Sequence, residues 1–244
     1  MKQRGNILFL ILLAIILFVA LSYAVNSGMR GGGNNASPEK LQTAMAEILQ
    51  YEVLLDNAIT RLKTSNGCTD FQISFENPVV SGYTNSNAPA DKRCHLFDPA
   101  GGGLSWKVPS TAWLDSANAA APEYGQYFFT SRQCIRYMGT AGATCNTDGL
   151  SNGALIMYLP YITQDLCQKL VAQNGTTLLN DGNGIGRADL KAVGNFTPSA
   201  ALLDSAGNDT RVVKAGCVLA TGAASSVILP YNTGYIYFRV LITR

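Results

Sequence analysis

His95 is the chain's single histidine, so a serine or cysteine nucleophile that relies on an imidazole base has to use it. It adjoins Cys94 within residues 89–99, a stretch of loop character carrying two prolines and two aspartates. A cysteine held in a disulfide offers no thiolate, and His95 reads as a surface loop residue rather than half of a catalytic pair. The carboxylates Glu76, Asp91, Asp98, Asp115 and Glu123 are scattered along the chain. No pairing among them sets a general acid against a nucleophile as glycoside hydrolysis requires.

Residues 182–186 read Gly-Asn-Gly-Ile-Gly. No lysine follows where a phosphate loop needs one, and the spacing is not that of a dinucleotide fingerprint. The same segment, Asn180, Asp181, Gly182 and Asn183 with Asp189 downstream, offers oxygen ligands of the calcium-loop kind. It lacks the twelve-residue order and the closing glutamate. Turn chemistry accounts for these residue types, and calcium near Asp181 is the only cofactor the sequence suggests at all. Trp106, Trp113, Tyr124, Tyr127, Phe128 and Phe129 would suit a sugar-binding platform, and equally the core of a sheet. The expectation is a protein without catalytic residues, metal or cofactor.

Six cysteines follow residue 25: Cys68, Cys94, Cys134, Cys145, Cys167 and Cys217. None are spaced as Cys-x-x-Cys, and with one histidine a zinc cluster is not expected. An even count behind an export-type start reads as three disulfides. Fifteen connectivities are open to six cysteines, with Cys134–Cys145 favoured by the short Gly- and Thr-rich stretch between them. Charged residues make up only 14% of the chain and glycine is frequent, at 24 residues, which suits turn-rich β structure. The net charge of +2 is supplied by Lys2 and Arg4, leaving a neutral body. Nucleic-acid binding, which needs a basic face, is not expected.

The elements that would position this body begin with residues 7–25, nineteen residues without a charge. As a helix they would reach ~28 Å, about one hydrocarbon thickness, with the basic flank inside and the body outside. Three readings fit this start. One is a cleaved signal peptide with Ser22-Tyr23-Ala24 at the cut. The second is an uncleaved anchor. The third is a leader of residues 1–5 ending in Gly5, cut before Asn6, with the apolar helix retained.

Lys2, Arg4, Gly5 and the following apolar run resemble the start of type IV pilins and pseudopilins. Two positions depart from that pattern. The family's glutamate at the fifth mature position is Leu10 here, and its aromatic first residue is Asn6. The resemblance implies processing at Gly5 and Asn6. It further implies a filament-core helix that includes Ile7, Leu8, Phe9, Leu10, Ala14, Phe18 and Ala20, with Ala14 and Ala20 permitting close helix approach. Implied partners are copies of itself or other pilin-like subunits, the bacterial inner membrane and a pilus assembly machinery. The precursor would sit in that membrane with its head in the periplasm, and the assembled filament would be extracellular.

Residues 26–37 are Gly-rich and read as a hinge. Ser37, Pro38 and Glu39 then carry helix-start chemistry. Leu41, Met45, Ile48, Leu55, Ile59 and Leu62 make one apolar stripe, with Lys40, Glu47, Glu52, Asp56 and Lys63 mostly on other faces. Asn66-Gly67 closes an amphipathic helix over 38–66. Within the head, 67–244, strands are predicted at 71–75, 104–108, 127–137, 155–159, 212–219 and 235–242, and a helix at 164–173 ended by Gly175. Cys167 would tether that helix to the sheet or a loop. The expected fold class is α+β: an N-terminal transmembrane helix, then an amphipathic helix packed on a β-rich, disulfide-stapled head. The expected function is a structural subunit of a pilus-like or pseudopilus-like filament. A membrane-tethered adhesin or carbohydrate-binding module is the first alternative, and an exported enzyme the second.

Overall fold

A computed structural model of the chain describes residues 37–135, 138–139, 152–181, 185–186, 190–198, 200–201, 214–220, 228–229 and 234–244. The chain divides into two compact units, Met1–Ser37 and Pro38–Arg244. Only Ser37 of the first lies among the described residues, and all the described helices and strands belong to the second.

The amphipathic helix forms as α1, Pro38–Thr64. Of the expected stripe, Leu41, Ile48, Leu55, Ile59 and Leu62 are buried, joined by Ala44, Tyr51, Glu52 and Ala58, while Met45 is only half-buried at its margin. Glu39 sits in its first turn and Arg61 and Lys63 in its last, each complementing the helix dipole. The helix ends on Gly67, whose φ of 65° lets the Cys68 N–H return to the Leu62 carbonyl at 3.0 Å. This left-handed closure suits glycine because it has no Cβ to collide. The second helix, α2, spans Gln164–Gln173 as the sequence implies, with Leu166, Cys167, Leu170 and Val171 buried. Gly175 follows with a φ of 63°.

Eight strands run in chain order: β1 Phe128–Cys134, β2 Ala154–Ile162, β3 Leu179–Asp181, β4 Ile185–Gly186, β5 Ala200–Ala201, β6 Ala215–Ala220, β7 Ile228–Leu229 and β8 Gly234–Ile242. The main sheet has the order β3-β6-β8-β2-β1-β5, and β4 pairs with β7 separately. Its four central strands, β6, β8, β2 and β1, are antiparallel, while β3 and β5 add short parallel edges. Register aligns Phe128 with Tyr158 and Tyr158 with Phe238, an aromatic row across three strands. Those side chains join Ile156, Ile236, Val240, Val218, Leu190 and Ile135 in one core. The alternate residues of β8 and β2 face the other way, where α1 and α2 pack. Every residue of β2 is buried, as expected of a strand covered on both faces.

The expected fold class is corrected in two respects. Among the described residues no helix is long and apolar enough to cross a membrane. Residues 7–25, the expected transmembrane helix, lie outside them, as does the hinge up to residue 36. The head is also less β-rich than expected. Residues 71–75 give a 3-10 turn, Asp70–Gln72, and a single bridge from Ser74 to His95, and residues 104–108 form no strand. The β-branched and aromatic content of that region serves side-chain packing instead of a ladder. Phe75, Tyr83, Phe97 and Trp106 gather around Phe129 of β1, with Phe75 stacked on it at 4.5 Å between ring centroids.

Backbone groups of this long irregular segment are satisfied by asparagine side chains, turns and Arg61. The Asn85 amide donates to the carbonyls of Phe71 at 2.8 Å and Ile73 at 2.9 Å, and its oxygen accepts from the Asn87 N–H. The Arg61 guanidinium donates to the carbonyls of Gly101 and Gly102. Those glycines are required, since a Cβ on either would collide with the carbonyl of His95 or Leu96. Asn85→Ala strands buried carbonyls, so we expect it to cost about 2 kcal/mol. Urea denaturation of the variant against wild type checks this, and a loss within error of zero would show the loop to be held by its other contacts.

Two disulfides pin the fold. Cys68–Cys94 clasps the end of α1 to the irregular segment, with Cα atoms 5.8 Å apart. Cys167–Cys217 ties α2 to β6 at 5.7 Å, realising the helix-to-sheet tether. Cys134 is also disulfide-bonded, and Cys145, its expected partner, lies outside the described residues.

Candidate functional site

The charged chemistry of the described fold converges where α1 crosses β8. Tyr51, Glu52, Leu55 and Ile59 recur at helical spacing on the buried side of α1, with Asp56 half-buried at its margin and Thr60 and Lys63 exposed beyond it. Tyr237, Arg239, Leu241 and Thr243 alternate along the end of the chain and share one face of it. Arg239 reaches Asp56 at 3.0 Å and Glu52 at 3.9 Å. Glu52 is only 4% exposed. Its Oε1 has no hydrogen-bond partner among the described residues. Burial pushes its carboxyl up to about 7, and the Tyr237 hydroxyl and Arg239 offset only part of that effect. Removing a carboxylate from water disfavours its charged form, and one guanidinium at this distance does not restore it. Burial likewise raises the phenols of Tyr51, Tyr127 and Tyr237. The Tyr51 and Tyr127 rings meet at 4.9 Å, and Lys107 lies over the Tyr51 ring while pairing with Glu47 at 3.0 Å.

Periodicity places Glu52 with the residues on other faces of the helix, and the fold corrects this. A carboxylate on an amphipathic helix is ordinarily solvated, and the groups that hold this one belong to the far end of the chain. A buried carboxyl flanked by one arginine and tyrosines is a proton-binding group. Among the described residues its ionisable neighbours include Asp56, Arg239 and Tyr237.

Of the other candidates, His95 is buried, at 8% exposed, rather than on the surface. Its Nδ1 stands 3.9 Å from Glu76, and the neighbouring disulfide holds it in place. Asp98 accepts from the Ala100 N–H, which draws its carboxyl below the usual range, with Lys92 adding to the effect. Asp91 pairs with Arg93, Asp115 caps a 3-10 turn at Ala117, and Glu123 is buried.

Trp113, Tyr127, Phe128 and Phe129 are core residues, while Trp106 and Tyr124 are half-buried. No flat aromatic platform is formed by the six. Asn180 and Asp181 end β3, and Gly182, Asn183 and Asp189 lie outside the described residues. Among the described residues no group of three His, Cys, Asp or Glu side chains is placed to hold a metal ion. The processing residues Gly5 and Asn6, and Ile7, Leu8, Phe9, Leu10, Ala14, Phe18 and Ala20, also lie outside the described residues.

The outward side of α1 carries a second feature. Met45, Leu49 and Val53 are spaced four residues apart, with Leu54 beside them. Met45 and Leu49 are half-buried, Val53 is 57% exposed and Leu54 is 44% exposed. Comparison of the chain with protein-family models, with curated proteins and with solved structures found no match to any of them.

Proposed function

We propose that the protein is an assembling structural subunit of an exported, pilin-like filament, joined to copies of itself or to related subunits. The observation that carries this reading is the pair of exposed aliphatics Val53 and Leu54 on α1, with half-buried Met45 and Leu49 leading to them along one edge of the helix. Packing on the sheet does not require Val53 and Leu54, and adjoining exposed aliphatics favour contact with another chain. The sequence adds the basic start, Gly5 and the uncharged residues 7–25, separated from this helix by the Gly-rich residues 26–37. On this reading the precursor is held at the bacterial inner membrane and cut between Gly5 and Asn6, and α1 supplies a contact surface of the head.

The test replaces Val53 with Lys and Leu54 with Glu together in the full chain. We expect filaments or higher-order particles to disappear from electron micrographs, while circular dichroism and disulfide content stay as in wild type. Filaments that persist in this variant would sink the assembly role of this pair. Mass spectrometry of the mature N-terminus, alongside a Gly5→Asp variant, tests processing separately, and a chain that retains Met1 or begins at Val25 would remove the pilin-like reading.

A further inference from the structure

A groove of about 340 Å3 lies between the last turns of α1 and the end of the chain. Asp56, Thr60 and Lys63 line one wall, spaced so that they share a helix face. Arg239 and Thr243 line the other, and Lys214 stands at the start of β6, where its carbonyl accepts from the Val240 N–H at 2.7 Å. Ile59 and Leu241 add apolar surface.

The charges of the groove are unevenly answered. Asp56 answers Arg239 at 3.0 Å, and Asp70 answers Lys63 at 2.7 Å from outside the groove. Lys214 is exposed and makes no ion pair among the described residues. Among the described residues the groove therefore presents one unmatched ammonium, two hydroxyls and a carboxylate fixed by its arginine, beside aliphatic side chains. An anion without donors of its own would use the ammonium and the hydroxyls but offer nothing to the Asp56 carboxylate, which only accepts. A neutral sugar would use the hydroxyls and Asp56 and leave the ammonium unmatched. A molecule carrying both a carboxylate and several hydroxyls uses all of them, and the volume is in the range of small-ligand sites.

We propose that this groove binds a small acidic saccharide, with the sugar carboxylate on Lys214 and its hydroxyls on Thr60, Thr243 and Asp56. The carboxylate–ammonium contact supplies charge-assisted hydrogen bonding, and the apolar face of the pyranose ring rests on half-buried Leu241. This ligand role is independent of the assembly reading, since the groove opens beside β8 and uses none of Met45, Leu49, Val53 or Leu54.

Calorimetric titration of the full chain with glucuronic acid, N-acetylneuraminic acid, glucose and inorganic phosphate tests it. We expect at least one acidic sugar to bind at least tenfold more tightly than glucose and phosphate. Lys214→Gln should remove that preference, and Lys214→Arg should keep it. Lys214 is exposed, so the Gln variant folds as wild type does, which circular dichroism verifies. Thr243→Ala gives a second arm with an expected weakening of a few fold. Four results would overturn the proposal: no heat from either acidic sugar at about 10 mM, equal binding of glucose, phosphate binding as tightly as the sugars, or unchanged binding by Lys214→Gln.

Discussion

Replacing Cys167 and Cys217 together by alanine is expected to lower the unfolding free energy by about 4 kcal/mol. The bond spans 50 residues of sequence, and closing so long a loop removes many conformations from the unfolded chain. Both sulfurs are buried, so a smaller packing loss accompanies the entropic one. The mechanism makes a second statement that a packing loss alone does not. The unfolded variant is more expanded, so its denaturant dependence should steepen relative to wild type. Urea denaturation under oxidising conditions reads both quantities. The Cys68–Cys94 bond spans 26 residues, roughly half as many, and loop closure then predicts a loss smaller by only ~0.6 kcal/mol. A double variant as stable as wild type would mean that α2 is seated on β6 by packing alone.

Glu52 gives the second large effect, and it depends on pH. The folded carboxyl keeps its proton up to about 7, whereas the unfolded one loses it near 4.5. Between those values the folded state binds more protons. Stability from this group is therefore fully present below about 4.5 and is lost as pH rises through about 7. At about 1.4 kcal/mol per pKa unit the total is ~3 kcal/mol. Glu52→Gln keeps the shape and the capacity to hydrogen-bond Tyr237, and it leaves Arg239 paired with Asp56. The variant should match wild type at about pH 4 and exceed its stability by ~3 kcal/mol at about pH 8. Measuring the difference between the two proteins across the range cancels the other titrating groups. Parallel curves would show that the carboxyl is solvated in solution and that α1 does not bury it.

Helical periodicity alone locates both helices, because each buries one face and each ends on a glycine that supplies a positive φ. The four central strands are legible for a similar reason. Their β-branched and aromatic runs fill a core on at least one side of the sheet. Segments 71–75 and 104–108 carry the same residue types yet form no ladder. Their aromatic rings pack around Phe129 from loops, and composition does not distinguish a ring presented by a ladder from one presented by an asparagine-pinned turn. Strands β3, β4, β5 and β7 are two or three residues long, too short for an alternation to declare itself. The candidate site is largely invisible in the sequence. Asp56 and Arg239 are 183 residues apart, and nothing local to Glu52 announces that Tyr237 and Arg239 will close over it. The same holds for the groove, whose lining comes from α1, β6 and the end of the chain.

The position of β8 carries a consequence for the order of folding. This strand, residues 234–242, lies between β6 and β2 in the interior of the sheet. Its partners β2 and β6 therefore cannot be joined until the last segment of the chain is present. The central pairing of Leu155 with Ile242 and of Tyr158 with Phe238 closes about 80 residues at once. A chain delivered from its N-terminus can form α1 early, but that helix has no completed sheet to rest on until residues 234–242 emerge. Such long-range pairing makes for slow acquisition of structure, and β2 has β1 beside it but lacks its β8 partner until those residues emerge.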